Sequence, residues 1–245
     1  MKLIKFIIIF FVFSGIGIAG DFVIYNYQGT DYEGYYSRVK ADSPLVFMVH
    51  DWDGITDYEI KRTEMLNELG YSVFVIDMFG KGVKPVTVDE KRALTGALYK
   101  DRNKMRGILY AAYDKAVFLN ANVKNAIGMG YCFGGTTILE FARSGASLKA
   151  FVPFHGGLAT PEGQDYSNVK GEMLVFHGSA DASVKIEDFA NLVKELEANK
   201  VKHEMITYSG APHAFTVFGS DRYREDADKK SWKRFTEYLK EVFNK

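Results

Sequence analysis

The chain has a single cysteine, Cys132, set in the run Gly130-Tyr131-Cys132-Phe133-Gly134. The apolar stretch just before it, Asn125 to Gly130, reads as a buried strand, and Gly134 to Arg143 reads as a helix. A thiol on a sharp strand-to-helix turn between glycines has the G-x-nucleophile-x-G layout, in which the turn strains the nucleophile's backbone and brings neighbouring chains too close for side chains. The other reading is a small buried thiol under a glycine-rich turn. Two further loops bear on the choice: Gly178-Ser179-Ala180-Asp181 and Gly210-Ala211-Pro212-His213-Ala214-Phe215 each follow an apolar run. His213 has the chemistry to take a proton from the thiol and return it to a leaving alkoxide, and Asp181 to fix the imidazole's tautomer and stabilise its charged form. Singly, Asp181 reads as a turn or cap residue and His213 as a loop histidine on a polar rim. Jointly they stand in the chain order nucleophile, acid, histidine, each at a predicted strand end.

A fourth loop, His50-Asp51-Trp52-Asp53-Gly54, follows the run Leu45 to His50. An acyl-transfer site of this layout takes one oxyanion N–H from the residue after the nucleophile and one from this earlier loop, which selects the amides of Phe133 and Trp52. Asp51 is either a second carboxylate near the thiol or the N-terminal cap of the next helix.

These loops need strands and helices to hold them. Runs at 45–50, 72–77, 125–130, 148–154, 172–178 and 203–209 are nearly all apolar or β-rich. That is the mark of strands covered on both faces. Between them lie helical patterns at 57–69, 88–119 (broken once), 134–143, 185–198 and 224–243. Alternating strands and helices predict one α/β domain with a mostly parallel sheet, helices on both faces, and functional loops at the carboxyl ends of the strands. The β-rich segments "DFVIYNYQ" and "YEGYYSRV" around Gly29 predict an antiparallel hairpin at its start.

Thirty-one basic residues balance thirty-one acidic ones, which argues against nucleic acid or anionic lipid as a partner. The five histidines are dispersed and no C-x-x-C occurs, so no metal site is expected. "GMGYCFGG" lacks the Lys and Ser or Thr of a phosphate-binding loop, and no cofactor is expected. His177 reads as structural; His155, in "FHGG", either lines a pocket or caps a loop. The first 20 residues carry Lys2 and Lys5, an apolar run and then small residues, the layout of a cleaved signal peptide. The uncharged stretch from Phe6 to Ala19 falls short of the ~18–20 residues of a membrane span. Residues 21–245 would then be an exported domain, periplasmic or secreted; an uncleaved leader would make it membrane-anchored.

"VHDWDG", "GMGYCFGGT", "VFHGSADASV", "APHAFT" and the tail "SWKRFTEYL" together resemble the dienelactone hydrolase family of α/β-hydrolases, over essentially everything after the leader. The resemblance implies hydrolysis of small esters or lactones through a thioester acyl-enzyme, with Cys132, Asp181 and His213 at the triad positions. It also places Asp51 where the family carries an acidic residue implicated in activating the thiol, usually the longer glutamate. The founding enzymes grip a substrate carboxylate with arginines, and the one four residues after the histidine falls here on Val217. The rival class is a non-catalytic binding protein of the same fold, or a sensor using Cys132 for reversible oxidation.

Residues 155–170 are too short to form a helical cap, so the pocket is expected to be open, rimmed by Trp52, Tyr131, Phe133 and Phe215, and suited to compact substrates. Arg92, Arg222 and Arg224 read as solvated surface charges, leaving neutral esters at least as favourable as anionic ones.

Overall fold

The computed structural model describes residues 20–244, so the expected leader falls almost wholly outside the described residues. The chain opens with the hairpin of β1 (Asp21–Tyr27) and β2 (Thr30–Ser37), joined through Gln28 and Gly29, both at positive φ. Two central residues with positive φ match the right-handed twist of the paired strands. β2 pairs antiparallel with β4 (Ser72–Ile76), and from there the sheet is parallel through β3 (Leu45–Val49), β5 (Ala126–Tyr131), β6 (Ala150–Phe154), β7 (Glu172–Gly178) and β8 (His203–Tyr208). The full order is β1-β2-β4-β3-β5-β6-β7-β8.

Strands β3 to β6 are buried throughout because helices cover both faces. On one face α2 (Val88–Lys100), α3 (Arg102–Phe118), α4 (Phe133–Arg143) and α5 (Ile186–Ala198) pack against the side chains of Phe47, Phe74 and Phe151. On the other, α1 (Asp57–Glu68) and α6 (Glu225–Phe243) cover Met48, Val75 and Val152. The predicted break in the long helical stretch is Asp101, which closes α2 and accepts a hydrogen bond from the Lys104 amide as the N-cap of α3. A Thr56/Glu59 capping box starts α1. The segment from β6 to β7 contains only turns, so no helical cap covers the sheet's edge.

Register brings the carboxyl ends of the parallel strands level. Val49 pairs with Gly130, Tyr131 with Phe154, Phe154 with Phe176, and Gly178 with Tyr208. The turn from β5 into α4 is so close to β3 that a Cβ on Gly134 would lie 2.2 Å from the Val49 carbonyl oxygen, and one on Gly130 would lie 2.3 Å from the Gly134 carbonyl. Both neighbours are backbone and have no rotamer by which to yield. Gly134→Ala is therefore expected to cost about 3 kcal/mol or more, whereas Gly96→Ala, in open space within α2, should gain up to about 1 kcal/mol. Urea unfolding of the two variants beside the wild type checks the contrast.

Candidate active site

Cys132 is the residue between β5 and α4, and its backbone has φ 52° and ψ −114°. For a residue with a Cβ this is a strained conformation. It holds Sγ above the sheet's edge, beside the loops that leave β7 and β8. His213 Nε2 lies 3.0 Å from Sγ, and His213 Nδ1 lies 2.8 Å from Asp181 Oδ2. The other Asp181 oxygen accepts the amides of Ser183 at 2.7 Å and Val184 at 2.9 Å, so the carboxylate cannot swing away. Burial opposes ionisation of Asp181, but the bond from His213 and the two amide bonds outweigh it and keep its pKa below the usual carboxylate range. Burial also opposes charge on His213, yet its bonds to Asp181 and Cys132 and their negative charges push its pKa up to about 10. The result is an imidazole whose protonated form is matched to a thiolate.

Phe133 is the first residue of α4, so its amide has no intrahelical acceptor, and the Trp52 amide makes no backbone hydrogen bond among the described residues. Both flank the cavity in which Sγ sits. The ring of Phe133 packs beneath, against His50, Phe79 and Tyr99. Asp51 lines the same cavity, but its Oδ1 accepts the Asp53 amide at 2.7 Å, and among the described residues no hydrogen bond joins it to Cys132. Asp51 does not cap α1, because Thr56 does. Behind Asp51 lies the fully buried Glu59; burial raises both carboxyl groups above their ordinary range, helped by the charge of Asp53 at Asp51 and by that of Asp51 at Glu59.

The cavity has two lobes that meet at Cys132, Phe133, Tyr99 and His213. One, of about 440 Å³, runs along Leu158 and Val184 to Arg102 and Asp188. The other, of about 340 Å³, is bounded by Asp51, Trp52, Thr95, Arg92 and Arg222. Arg92 and Arg222 are exposed, as solvated charges would be, but they stand at the mouth of the site rather than on a remote surface. Tyr131, Phe133 and Phe215, expected at the rim, are instead fully buried, although Phe133 still lines the cavity floor. Tyr131 packs on Tyr58 and Phe154, and Phe215 on His155 and Tyr208, because their side chains point under the loops that carry Cys132 and His213.

The remaining histidines separate by environment. His50 accepts the Met78 amide and bonds the Asp51 carbonyl, tying the ends of β3 and β4; His177 is buried against Phe189. His155 is fully buried and bonded to the Cys132 amide, a placement its sequence position did not reveal. Arg102 and Tyr99 were likewise not singled out, although the Asp101 helix break beside them is the signal that places them at a loop facing the thiol. Among the described residues no cluster could hold a metal ion.

The sequence model of the dienelactone hydrolase family matches residues 33–243. The protein usf of Aquifex pyrophilus is 26% identical over 202 residues, 80% of this chain and 87% of its own. A protein of Escherichia coli (strain K12), provisionally named a carboxymethylenebutenolidase, is 24% identical over 242 residues, covering 93% and 89%. Among solved structures, a dienelactone hydrolase-like promiscuous phosphotriesterase from metagenomic libraries is 27% identical with a TM-score of 0.85, covering 91% of this chain and 98% of its own.

The imidazolium of His213 persists until the pH approaches about 10, so its stabilising contribution is complete below the ordinary histidine pKa of ~6.5 and disappears only as pH rises through 10. Iodoacetamide should therefore alkylate Cys132 rapidly at pH 7, and His213→Ala should slow it by about tenfold or more. Equal rates in the two proteins would mean that the imidazole does not activate the thiol.

Proposed function

Since the chain belongs to the dienelactone hydrolase family and is an α/β-hydrolase by fold, we propose that it hydrolyses small carboxylic esters or lactones with Cys132 as nucleophile, His213 as general base and acid, and Asp181 as its orienting carboxylate. The observation that carries the reading is the unbroken line of hydrogen bonds from Sγ through His213 to Asp181, 3.0 and 2.8 Å, opening on a cavity.

The thiolate of Cys132 attacks the ester carbonyl carbon while His213 holds the thiol proton. The carbonyl oxygen becomes an oxyanion, taken up by the Phe133 and Trp52 amides. Collapse of the tetrahedral intermediate breaks the bond to the alkoxide, which leaves with the proton from His213, and a thioester on Cys132 remains. Water then gives a proton to His213 and its oxygen to the carbonyl carbon. A second collapse expels the thiolate and releases the acid. Asp181 stays ionised throughout and stabilises each imidazolium.

Two lobes meeting at the thiol suit a substrate with an arm on either side of the scissile carbonyl. In a lactone both arms belong to one ring. Arg92 and Arg222 supply positive charge where the second lobe opens, so carboxylate-bearing esters are accepted as well as neutral ones.

Turnover of short p-nitrophenyl esters is expected in the wild type, to be absent in Cys132→Ala and to fall steeply in Cys132→Ser, where the weaker nucleophile depends more on its base. Full turnover by Cys132→Ala would overturn the assignment. For matched neutral and carboxylate-bearing esters, the double change Arg92→Gln, Arg222→Gln should lower kcat/KM about tenfold for the anion only. Equal losses for both would remove the arginines from substrate recognition.

A further inference from the structure

We propose that His155 is a positioning residue that braces the Cys132 turn against the His213 loop, and that it works as one fixed tautomer, uncharged with its hydrogen on Nε2. The proposal rests on the reading of Cys132 as the nucleophile.

His155 follows β6, with φ 40° and its amide bonded to the Phe176 carbonyl at 2.8 Å. Its side chain is fully buried, outside both lobes of the cavity, and so touches no substrate. Nδ1 lies 3.1 Å from the amide nitrogen of Cys132. That N–H is shared with the Phe154 carbonyl at 3.0 Å. A nitrogen facing an N–H must present its lone pair, so the ring hydrogen belongs on Nε2. Nε2 lies 2.8 Å from Thr216 Oγ1, which therefore accepts. The Thr216 hydroxyl in turn donates to Tyr58 Oη at 2.7 Å, and Tyr58 Oη also accepts Arg62 Nε at 3.3 Å. The backbone amide at the start of the line thus fixes the direction of each bond from His155 through Thr216 to Tyr58.

Thr216 lies on the same loop as His213, just past Ala214 and Phe215. One imidazole therefore connects the backbone of the thiol residue to the loop that carries its base. The far end is anchored: Arg62 Nη2 donates to the Thr216 carbonyl at 3.0 Å and pairs with the buried Asp228, tying this loop to α1 and α6. The His155 ring also meets the His213 ring edge to face, with centroids 5.4 Å apart. Burial, and then the positive charges of His213 and Arg62, hold the His155 pKa well below its ordinary value. A second proton would break the bond to the Cys132 amide and set a cation against the His213 imidazolium. The neutral ring thus keeps the site's one imidazolium on His213, where it faces the thiolate.

Thr216→Val keeps the side chain's shape but removes the acceptor. His155 Nε2–H then has no partner, and the opposite tautomer would aim a hydrogen at the Cys132 amide. Small displacements of a reacting pair cost far more in rate than in binding. The expected result is a fall in kcat of about tenfold with KM within twofold, a parallel fall in the rate of Cys132 alkylation, and recovery of both in Thr216→Ser. Unchanged kcat and alkylation in Thr216→Val, or a serine variant as impaired as the valine one, would overturn the proposal. The tautomer is read in the wild type, without reliance on folding of a variant, by 1H–15N correlation of the imidazole at pH 7. Protonated Nε2 with bare Nδ1 on His155 supports the proposal; hydrogen on Nδ1, or on both nitrogens, overturns it. If the wild type turned over no ester, the function proposed above would fail, while the tautomer and alkylation measurements would still decide this one.

Discussion

The left-handed backbone of Cys132 is the constraint on which the rest of the structure depends. A helix that starts directly after a central strand has to turn through the space of its neighbour, and here α4 turns against the carbonyls of Val49 and His50. Only glycine fits at 134, and only a residue held in a strained conformation projects its side chain away from that contact. The strain is tolerated because β3, β5 and β6 hold the turn in register and because the Cys132 amide is bonded to both the Phe154 carbonyl and His155. The thiol gains a position at the edge of the sheet that an ordinary helix residue could not reach, with the open amide of the first helical turn beside it.

Charge around the thiol is arranged in opposition. His213 is made more basic by Asp181 and by the thiolate itself, which favours an ion pair in a partly buried site. Asp51, with Glu59 behind it, lies on the same side and adds negative charge whenever it is ionised, but burial and the neighbouring Asp53 oppose its ionisation, as burial and Asp51 oppose that of Glu59. Arg92, Arg222 and Arg102 surround the cavity from outside this pair. Among the described residues the ion pair of Arg102 with Glu140 is long, 3.7 Å, because Glu140 is held closely by Arg106 and Arg143. Arg92 and Arg222 stand at one end of the cavity, and at the other Arg102 is accompanied by Asp188.

Much of this was legible in the sequence, for physical reasons. Cys132, Asp181 and His213 each follow an apolar run long enough to be a covered strand, and parallel strands bring their carboxyl ends together whatever the separation in sequence. The hairpin, one break in the 88–119 stretch and the lack of a helical cap between β6 and β7 followed from turn residues and loop length, though the place of the break, Asp101, did not. Tyr131 and Phe215 were misplaced because adjacency to a site residue does not say which way a side chain points; neighbours on a strand face opposite sides of the sheet. Arg92 and Arg222 are solvated charges as expected, but that they line the cavity mouth depends on how α2 and the loop before α6 pack, which no local pattern encodes. The His155–Thr216–Tyr58 line joins three separate segments, and a threonine carries no signature of accepting from a histidine.

The central claim is that Cys132 forms a covalent acyl intermediate, and mass spectrometry of the quenched enzyme tests it most directly. After brief mixing with p-nitrophenyl acetate and acid quenching, the peptide containing Cys132 should carry one acetyl group, labile to hydroxylamine as a thioester is, and the adduct should be absent from Cys132→Ala. Turnover of the ester with no adduct on that peptide, or with the acetyl group on another residue, would contradict the account.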